Sequence, residues 1–519
     1  MKRKLIVLLL ALVMAFSLVA CTNSGNTPSN TSSPSAPASS GTPASPARNP
    51  VEISISRSLA PSSLDPHDED NPMATTATFL IFDRLVAFDN DTNEWLPQVA
   101  KSWKQLDDVT WTFDINLDIK FHNGDTLTMD DVVFSIDRMQ NFPRSYDNWA
   151  MIEKVSYEGS VLTIKFANPY VTTPAKVLAV SYIVNKAYIE AGGDDAIFFK
   201  PVATGPYKAV AFTPLTSVTL EAFDDYYYGR PAFDKINFLA IPETDARYIA
   251  LESGQLQFAG DLNKISYDLA ASDANLMGVG NLSKTISCVA FNVKRPPFDN
   301  VNVRRALIHA LDIEGYAAFD NEMVARSLLY GGYLDMYYEG PDYPEYDLEK
   351  AKSMLAAEGF SDSNPLKFEL MCVVPHQGQE MWQAALKSIG VDMTLYRPEF
   401  GTYISKETGS DYDVLVTGQG NRGNHPVTDL DRFSNDMYGS RNFSLYTSDN
   451  VQVLINKIRV ARDEQELLGL SRELEDILSY DVPMVGIYCN FTRGAGVKGL
   501  TGVTFDGWGR ALFRDASMG

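Results

Sequence analysis

Leu96-Pro97-Gln98-Val99-Ala100-Lys101-Ser102-Trp103 opens a run that extends to Arg138 and decides how the chain is to be read. From Thr110 onward, Trp111, Phe113, Ile115 and Leu117 alternate with Thr112, Asp114 and Asn116. A period of two marks a half-buried strand, one face on a core and the other in water. Asn123-Gly124 follows, a small pair that tolerates the backbone of a tight turn. Thr128 and Asp131 then bracket the start of Val132-Val133-Phe134 as an N-cap hydroxyl with an acid in the first turn. The unit reads strand, turn, capped helix, an order that any α+β domain could contain.

The residue string is more specific than its periodicity. Lys101-Ser102-Trp103, Thr110-Trp111-Thr112-Phe113, Lys120-Phe121-His122-Asn123-Gly124 and Leu127-Thr128-Met129-Asp130-Asp131-Val132-Val133-Phe134-Ser135 occur in this order. Together they resemble the signature of the family 5 extracellular solute-binding proteins, the peptide- and nickel-binding receptors of ABC importers. In that family the motif is part of the scaffold and does not touch ligand. Further landmarks are similar: Leu64-Asp65-Pro66, Thr204-Gly205-Pro206-Tyr207, Asp225-Tyr226-Tyr227-Tyr228-Gly229 and Val303-Arg304-Arg305-Ala306-Leu307. The resemblance runs from about Leu64 to about Val503.

Composition is that of a large globular protein. The chain has 519 residues, 45% hydrophobic and 11% aromatic, enough to bury more than one core. A formal charge of −22 opposes binding to nucleic acid and to an anionic bilayer. It leaves the small ligand open, since a cleft can differ in sign from the whole.

Lys2, Arg3 and Lys4 precede an apolar run, Leu5 to Phe16, too short for a comfortable membrane span. Leu18-Val19-Ala20-Cys21 looks like a lipobox, so residues 1–20 are expected to be a lipoprotein signal peptide and Cys21 the lipidation site, a durable anchor when more than one acyl chain is attached. Residues 21–50 are almost wholly Ser, Thr, Pro, Gly, Asn and Ala, a flexible tether without a core. The expected location is extracytoplasmic, on the outer face of the cell membrane or in the periplasm. Cys288, Cys372 and Cys489 are odd in number, lie among apolar neighbours and lack metal-ligand spacing, so they read as small buried hydrophobes.

Along the chain, Ile53 to Leu59 reads as a strand, as do Leu162-Ile164-Phe166 and Val218-Leu220-Ala222 on one face each. Leu366-Phe368-Leu370-Cys372, the helical Trp382–Leu386 and Val391-Met393-Leu395 form a βαβ unit whose strands should be parallel neighbours. Glu464 to Ser479 is a helix, and Pro483 to Tyr488 a late strand. The resemblance implies an α/β fold of the type II periplasmic-binding class, two lobes with an extra subdomain inserted in lobe I and a ligand cleft between the lobes. By analogy lobe I takes residues 51–80, 203–284 and 495–519, the insert 81–202 and lobe II 285–494.

Catalytic signatures are missing: no G-x-S-x-G elbow, no H-E-x-x-H and no Walker A loop. His67, His122, His309, His376 and His425 show no ligand spacing, so neither a metal nor a cofactor is expected and the chain is not read as an enzyme. The family's ligand loop follows Asp411-Tyr412-Asp413, and in peptide receptors it carries an aromatic and then an aspartate for the peptide amine. Here it reads Gly418-Gln419-Gly420-Asn421-Arg422-Gly423-Asn424-His425-Pro426, with no acid before Asp429. An ammonium buried there without a carboxylate would cost several kcal/mol. Gln419, Asn421 and Asn424 suit a neutral polar ligand, Arg422 a carboxylate, and His425 a metal or a hydrogen bond. Ser58, Tyr146, Trp149, Tyr488 and Asn490 are further lining candidates by position, each equally compatible with ordinary packing.

The expectation is a monomeric, lipid-anchored receptor that hands an oligopeptide-like or other polar solute to an ABC permease and its ATPase subunits. A nickel-chelate or sugar receptor of the same fold is the alternative; a lipid-anchored hydrolase or an extracellular sensor stands in another class.

Overall fold

The signature stretch builds the core of a small subdomain. In the computed structural model, which describes residues 50–68, 75–89, 94–141, 152–167, 181–320, 322–329, 337–420, 426–437 and 442–519, β1 (Glu52–Arg57) precedes it. The stretch itself supplies β2 (Ala100–Gln105), β3 (Thr110–Ile115) and α1 (Met129–Asn141). β4 (Ile152–Glu158) and β5 (Val161–Phe166) complete a four-stranded antiparallel sheet in the order β2-β3-β5-β4. The alternation does what its period demands: Phe113 and Ile115 are buried with Leu162 and Ile164, under Val132, Ile136 and Met139 of α1. Gly124 adopts φ +92° at the turn. Thr128 and Asp131 cap α1 reciprocally, the Thr128 hydroxyl donating to the Asp131 carboxylate at 2.5 Å and the Asp131 amide donating back at 3.2 Å. Such a cap contributes about 1 kcal/mol.

The motif is a docking surface as well as a core. The His122 amide donates to the Ala203 carbonyl at 2.8 Å, and its Nε2 lies 3.0 Å from the Gly205 carbonyl oxygen. Gly205 in turn donates to Ile81 at 2.9 Å; a Cβ there would sit 2.5 Å from that carbonyl oxygen, so the turn admits only glycine. At the far end of α1, Arg138 pairs bidentately with Asp65 at 3.0 and 2.5 Å and meets His67 Nδ1 at 2.6 Å. Burial pushes both His67 and His122 down to about 4, so each is neutral near pH 7.

The remainder is organised by one eleven-stranded sheet. β6 (Tyr207–Thr213), β7 (Ser217–Ala222), β8 (Lys235–Ala240), β9 (Phe258–Gly260) and β10 (Leu276–Phe291) come first. After α2 (Ile313–Phe319) follow β11 (Met323–Val324), β12 (Lys367–Met371), α3 (Gln377–Ser388), β13 (Asp392–Tyr396), β14 (Val414–Gly420), α4 (Glu464–Asp481) and β15 (Met484–Val497). The order is β13-β12-β14-β10-β15-β9-β1-β8-β7-β6, with β11 on the outer edge of β15. β12 and β13 are parallel neighbours, Phe368 beside Met393 and Leu370 beside Leu395, as the βαβ reading requires. Cys288, Cys372 and Cys489 are buried free thiols.

Two long strands carry the sheet from one core to another. β10 and β15 pair from Leu276–Val497 to Leu282–Phe491 and again from Ile286–Cys489 to Ala290–Met484. On one side of the break their neighbour is β9; on the other it is β14. At the break Ser283, Lys284 and Thr285 stand against Asn490 alone, a bulge that bends the ladder. The first core gathers Ile53, Ile55, Tyr207, Phe233, Phe238, Phe505 and Phe513, joined by Tyr182, Val184, Ile189 and Ile197. Beyond the crossing, two cores lie under separate sets of helices, one around Leu307, Leu370 and Trp382, the other around Leu415, Leu474 and Met484. This is the two-lobed type II arrangement, and β10 and β15 are its connectors.

β15 runs nine residues beyond the expected end of the late strand at Tyr488. Its second half, Thr492-Arg493-Gly494-Ala495-Gly496, has no strand periodicity. Close approach explains the glycines: a Cβ on Gly494 would meet Phe258 at 2.7 Å and Phe505 at 2.9 Å.

Candidate ligand-binding site

Strand direction alone locates the cleft. In the first lobe β1 runs parallel to β8 and β9, and Gly260 at the end of β9 pairs with Gly494, next to the crossing. In the second lobe β12, β13 and β14 are parallel, and Gly420 at the end of β14 pairs with Thr285, again next to the crossing. The carboxyl ends of both parallel sets therefore converge on the same gap, the place where open α/β sheets bind ligands. Residues just past those ends form its lips.

On the first lip, Arg57 binds Asp261 through Nε at 2.9 Å and Nη2 at 2.6 Å. The same carboxylate accepts the Ser58 amide at 2.8 Å and the Ser58 hydroxyl at 2.9 Å. Asp261 holds φ +53°, a left-handed backbone that this net of bonds secures. Burial alone would raise the Asp261 pKa, but the Arg57 guanidinium and these donors bring it below the usual carboxylate value. Arg247 donates to the Gly260 and Asp261 carbonyls at 3.0 and 2.5 Å, which fixes the turn.

Beside the bulge, side chains add bonds to the backbone of β15. Phe491 donates its amide to Glu322 at 2.5 Å, and Arg493 reaches Glu322 at 2.8 Å, the Phe491 carbonyl at 3.0 Å and the Asp320 carbonyl at 2.5 Å. The Arg493 carbonyl accepts from Leu262 of the first lobe at 3.0 Å. Burial raises the Glu322 pKa against the pull of Arg493. Opposite, the bulge seats Lys284 against the C-terminal turn, its amide donating to Gly507 at 2.5 Å; burial pushes its ammonium down to about 8, with Asp506 opposing.

On the second lip, His376 caps α3: its Nδ1 accepts the Gly378 amide at 2.9 Å, and Gln379 completes a reciprocal box. The ring stacks on Tyr316, at 4.3 Å, and also meets Tyr488, at 5.3 Å, the two tyrosines being 5.7 Å from each other. A Cβ on Gly378 would fall 2.1 Å from the Tyr316 ring, so glycine permits this layer. Burial lowers the His376 pKa, with the Asp320 carboxylate opposing.

Of the residues singled out in the sequence, Ser58, Gln419, Tyr488 and Asn490 lie at these strand ends or in the crossing itself. Both donors of Ser58 are engaged by Asp261. Tyr146, Trp149, Asn421, Arg422, Asn424, His425 and Cys21 lie outside the described residues. Arg57, Asp261, Asp320, Glu322, His376 and Arg493 belong to the same region without having been singled out for it. Only His376 carried a local signal, a capping residue with Gln379 three places on; the others meet partners distant in sequence. Among the described residues no group of three or more His, Cys, Asp or Glu side chains is placed to hold a metal ion, and no helix is long and apolar enough to cross a membrane.

The chain matches the family described as bacterial extracellular solute-binding proteins, family 5 Middle, over residues 94–440. It is 26% identical over 462 residues to the probable di/tripeptide-binding protein 5 of Pseudomonas aeruginosa, covering 82% of this chain and 88% of that one. To the dipeptide-binding protein of Escherichia coli it is 24% identical over 485 residues, covering 84% and 89%. The crystal structure of a dipeptide-binding protein from Pseudoalteromonas sp. SM9913 in complex with Met-Leu superposes with a TM-score of 0.82 at 20% identity, over 90% of this chain and all of that one.

Proposed function

Because the chain belongs to the bacterial extracellular solute-binding proteins of family 5, we propose that it captures an oligopeptide-like or other polar solute between its lobes and delivers it to the permease of an ABC importer. The mechanism is binding without catalysis. Ligand stabilises the closed arrangement by its higher affinity for it, and the permease recognises that form. One observation carries the reading: the carboxyl ends of two parallel strand sets meet at a crossing that, among the described residues, is made by the two strands β10 and β15. Lipidation at Cys21 and the tether to residue 50 keep the body beside the membrane, as a monomer.

Ser58, Gln419, Tyr488 and Asn490 are the proposed contacts at the strand ends and the crossing, and Asn421, Arg422, Asn424, His425, Tyr146 and Trp149 are proposed as further contacts on the sequence reading alone. A nickel chelate or a sugar is the second reading, favoured by the amide-, arginine- and histidine-bearing loop Gly418–Pro426. Thermal unfolding of the 50–519 body with short peptides, sugars and nickel–histidine chelates decides among them. A bound solute at a hundredfold excess over its Kd stabilises the fold by about 2.7 kcal/mol. No shift with any of these solutes would sink the proposal.

A further inference from the structure

Among the described residues, the second lip holds a carboxylate, Asp320, that no lysine or arginine pairs. Around the crossing the acids are matched by cations: Glu322 with Arg493, Glu314 and Glu339 with Arg326, Glu380 with Arg397. Asp320 differs. Its backbone carbonyl serves Arg493, but its carboxylate faces the His376 imidazole, 3.1 Å from Nε2 and outside hydrogen-bonding geometry. The imidazole cannot supply the missing charge. Its Nδ1 accepts from Gly378 and its side chain is 8% exposed, both of which favour the neutral form. The Asp320 side chain is 34% exposed; Phe319, its neighbour in the chain, and Val374, two residues before His376, stand 54% and 71% exposed. An anionic group with an apolar rim at a strand-end lip fits a cation borne next to an apolar group, which the aromatic face of Phe319 also favours.

We propose that Asp320 is the specificity residue for a cationic ligand group, an ammonium next to an apolar side chain, held against Phe319, Val374 and the His376–Tyr488 stack. The inference rests on the solute-receptor reading and places the charge contact on the helix-end segment after α2, away from the loop at Gly418–Pro426. His376 acts as a positioning residue, walling the carboxylate on its buried side.

The test presents the full chain with an equimolar mixture of di- to pentapeptides beginning with leucine, each in free-amine and N-acetylated form, and reads the bound species by native mass spectrometry. The free-amine forms should exceed the acetylated forms at least tenfold, and Asp320→Asn should bring the ratio near one with an unchanged melting temperature of the unliganded protein. Glu314→Gln removes an equal charge one helix away and should leave the ratio as it was. A ratio preserved in Asp320→Asn, or a ratio near one in the wild type, overturns the assignment and leaves the receptor reading standing. Wild type that retains none of the peptides overturns the peptide reading together with it.

Discussion

Two buried arginine–carboxylate pairs do different work in this molecule. Arg138 with Asp65 pins α1 of the insert to the first lobe; Arg493 with Glu322 bridges the crossing between lobes. Their side-chain exposures are nearly equal, 10% and 5% against 10% and 6%. What differs is the surroundings. The Arg138 pair lies beside a continuous apolar core, with His67 and the docked His122 turn fixing a single arrangement. The Arg493 pair sits just beside the bulge that interrupts the β10–β15 ladder, where Glu322 and Arg493 take up the Phe491 amide and carbonyl, backbone groups that a change of lobe angle would otherwise expose. The same chemistry thus holds a fold in one place and a joint in the other.

The largest effect is expected at the pinned junction. Arg138→Met leaves Asp65 buried without its cation and should cost about 3–5 kcal/mol in urea unfolding. A loss below about 1 kcal/mol would erase the contrast between the pairs. Next comes acid. Neutral His122 stabilises the junction fully above the ordinary histidine value of 6.5, and this is lost as pH falls toward its folded value of about 4. The expected loss is about 3 kcal/mol over that window, and His122→Gln should flatten the corresponding part of the stability profile. Glu322 itself runs the other way, because its raised pKa favours the protonated folded form, so acid does not weaken its own contribution. The smallest effect belongs to the joint: Glu322→Gln keeps an acceptor for Phe491 and should cost about 2 kcal/mol, with faster amide exchange confined to Asn490–Arg493. Faster exchange throughout α1 as well would show that the two regions are not separate.

Much of the fold was legible because its determinants are local. The Trp111-to-Ile115 alternation, the Thr128–Asp131 cap and the βαβ unit around Trp382 each lie within a short window, and the structure has all three. The site was legible only in outline. Ser58 and Gln419 were singled out from the strand ends they adjoin, and Tyr488 from a strand end that lies nine residues later in the structure, whereas Asp261 and Glu322 gain meaning from Arg57 and Arg493, each more than 150 residues away. Half of β15 was missed because its glycines answer to Phe258 and Phe505 rather than to strand propensity.

By itself the sequence determined the scaffold: the signature, its landmarks in order and the alternating strands suffice to choose a two-lobed α/β receptor, since hydrophobic periodicity and capping act over a few residues. Only the tertiary structure decided which charges meet at the crossing, which turn packs against which strand end, and where the sheet gives up its ladder. Those outcomes depend on burial and on partners brought together by folding, and neither is encoded at any single position along the chain.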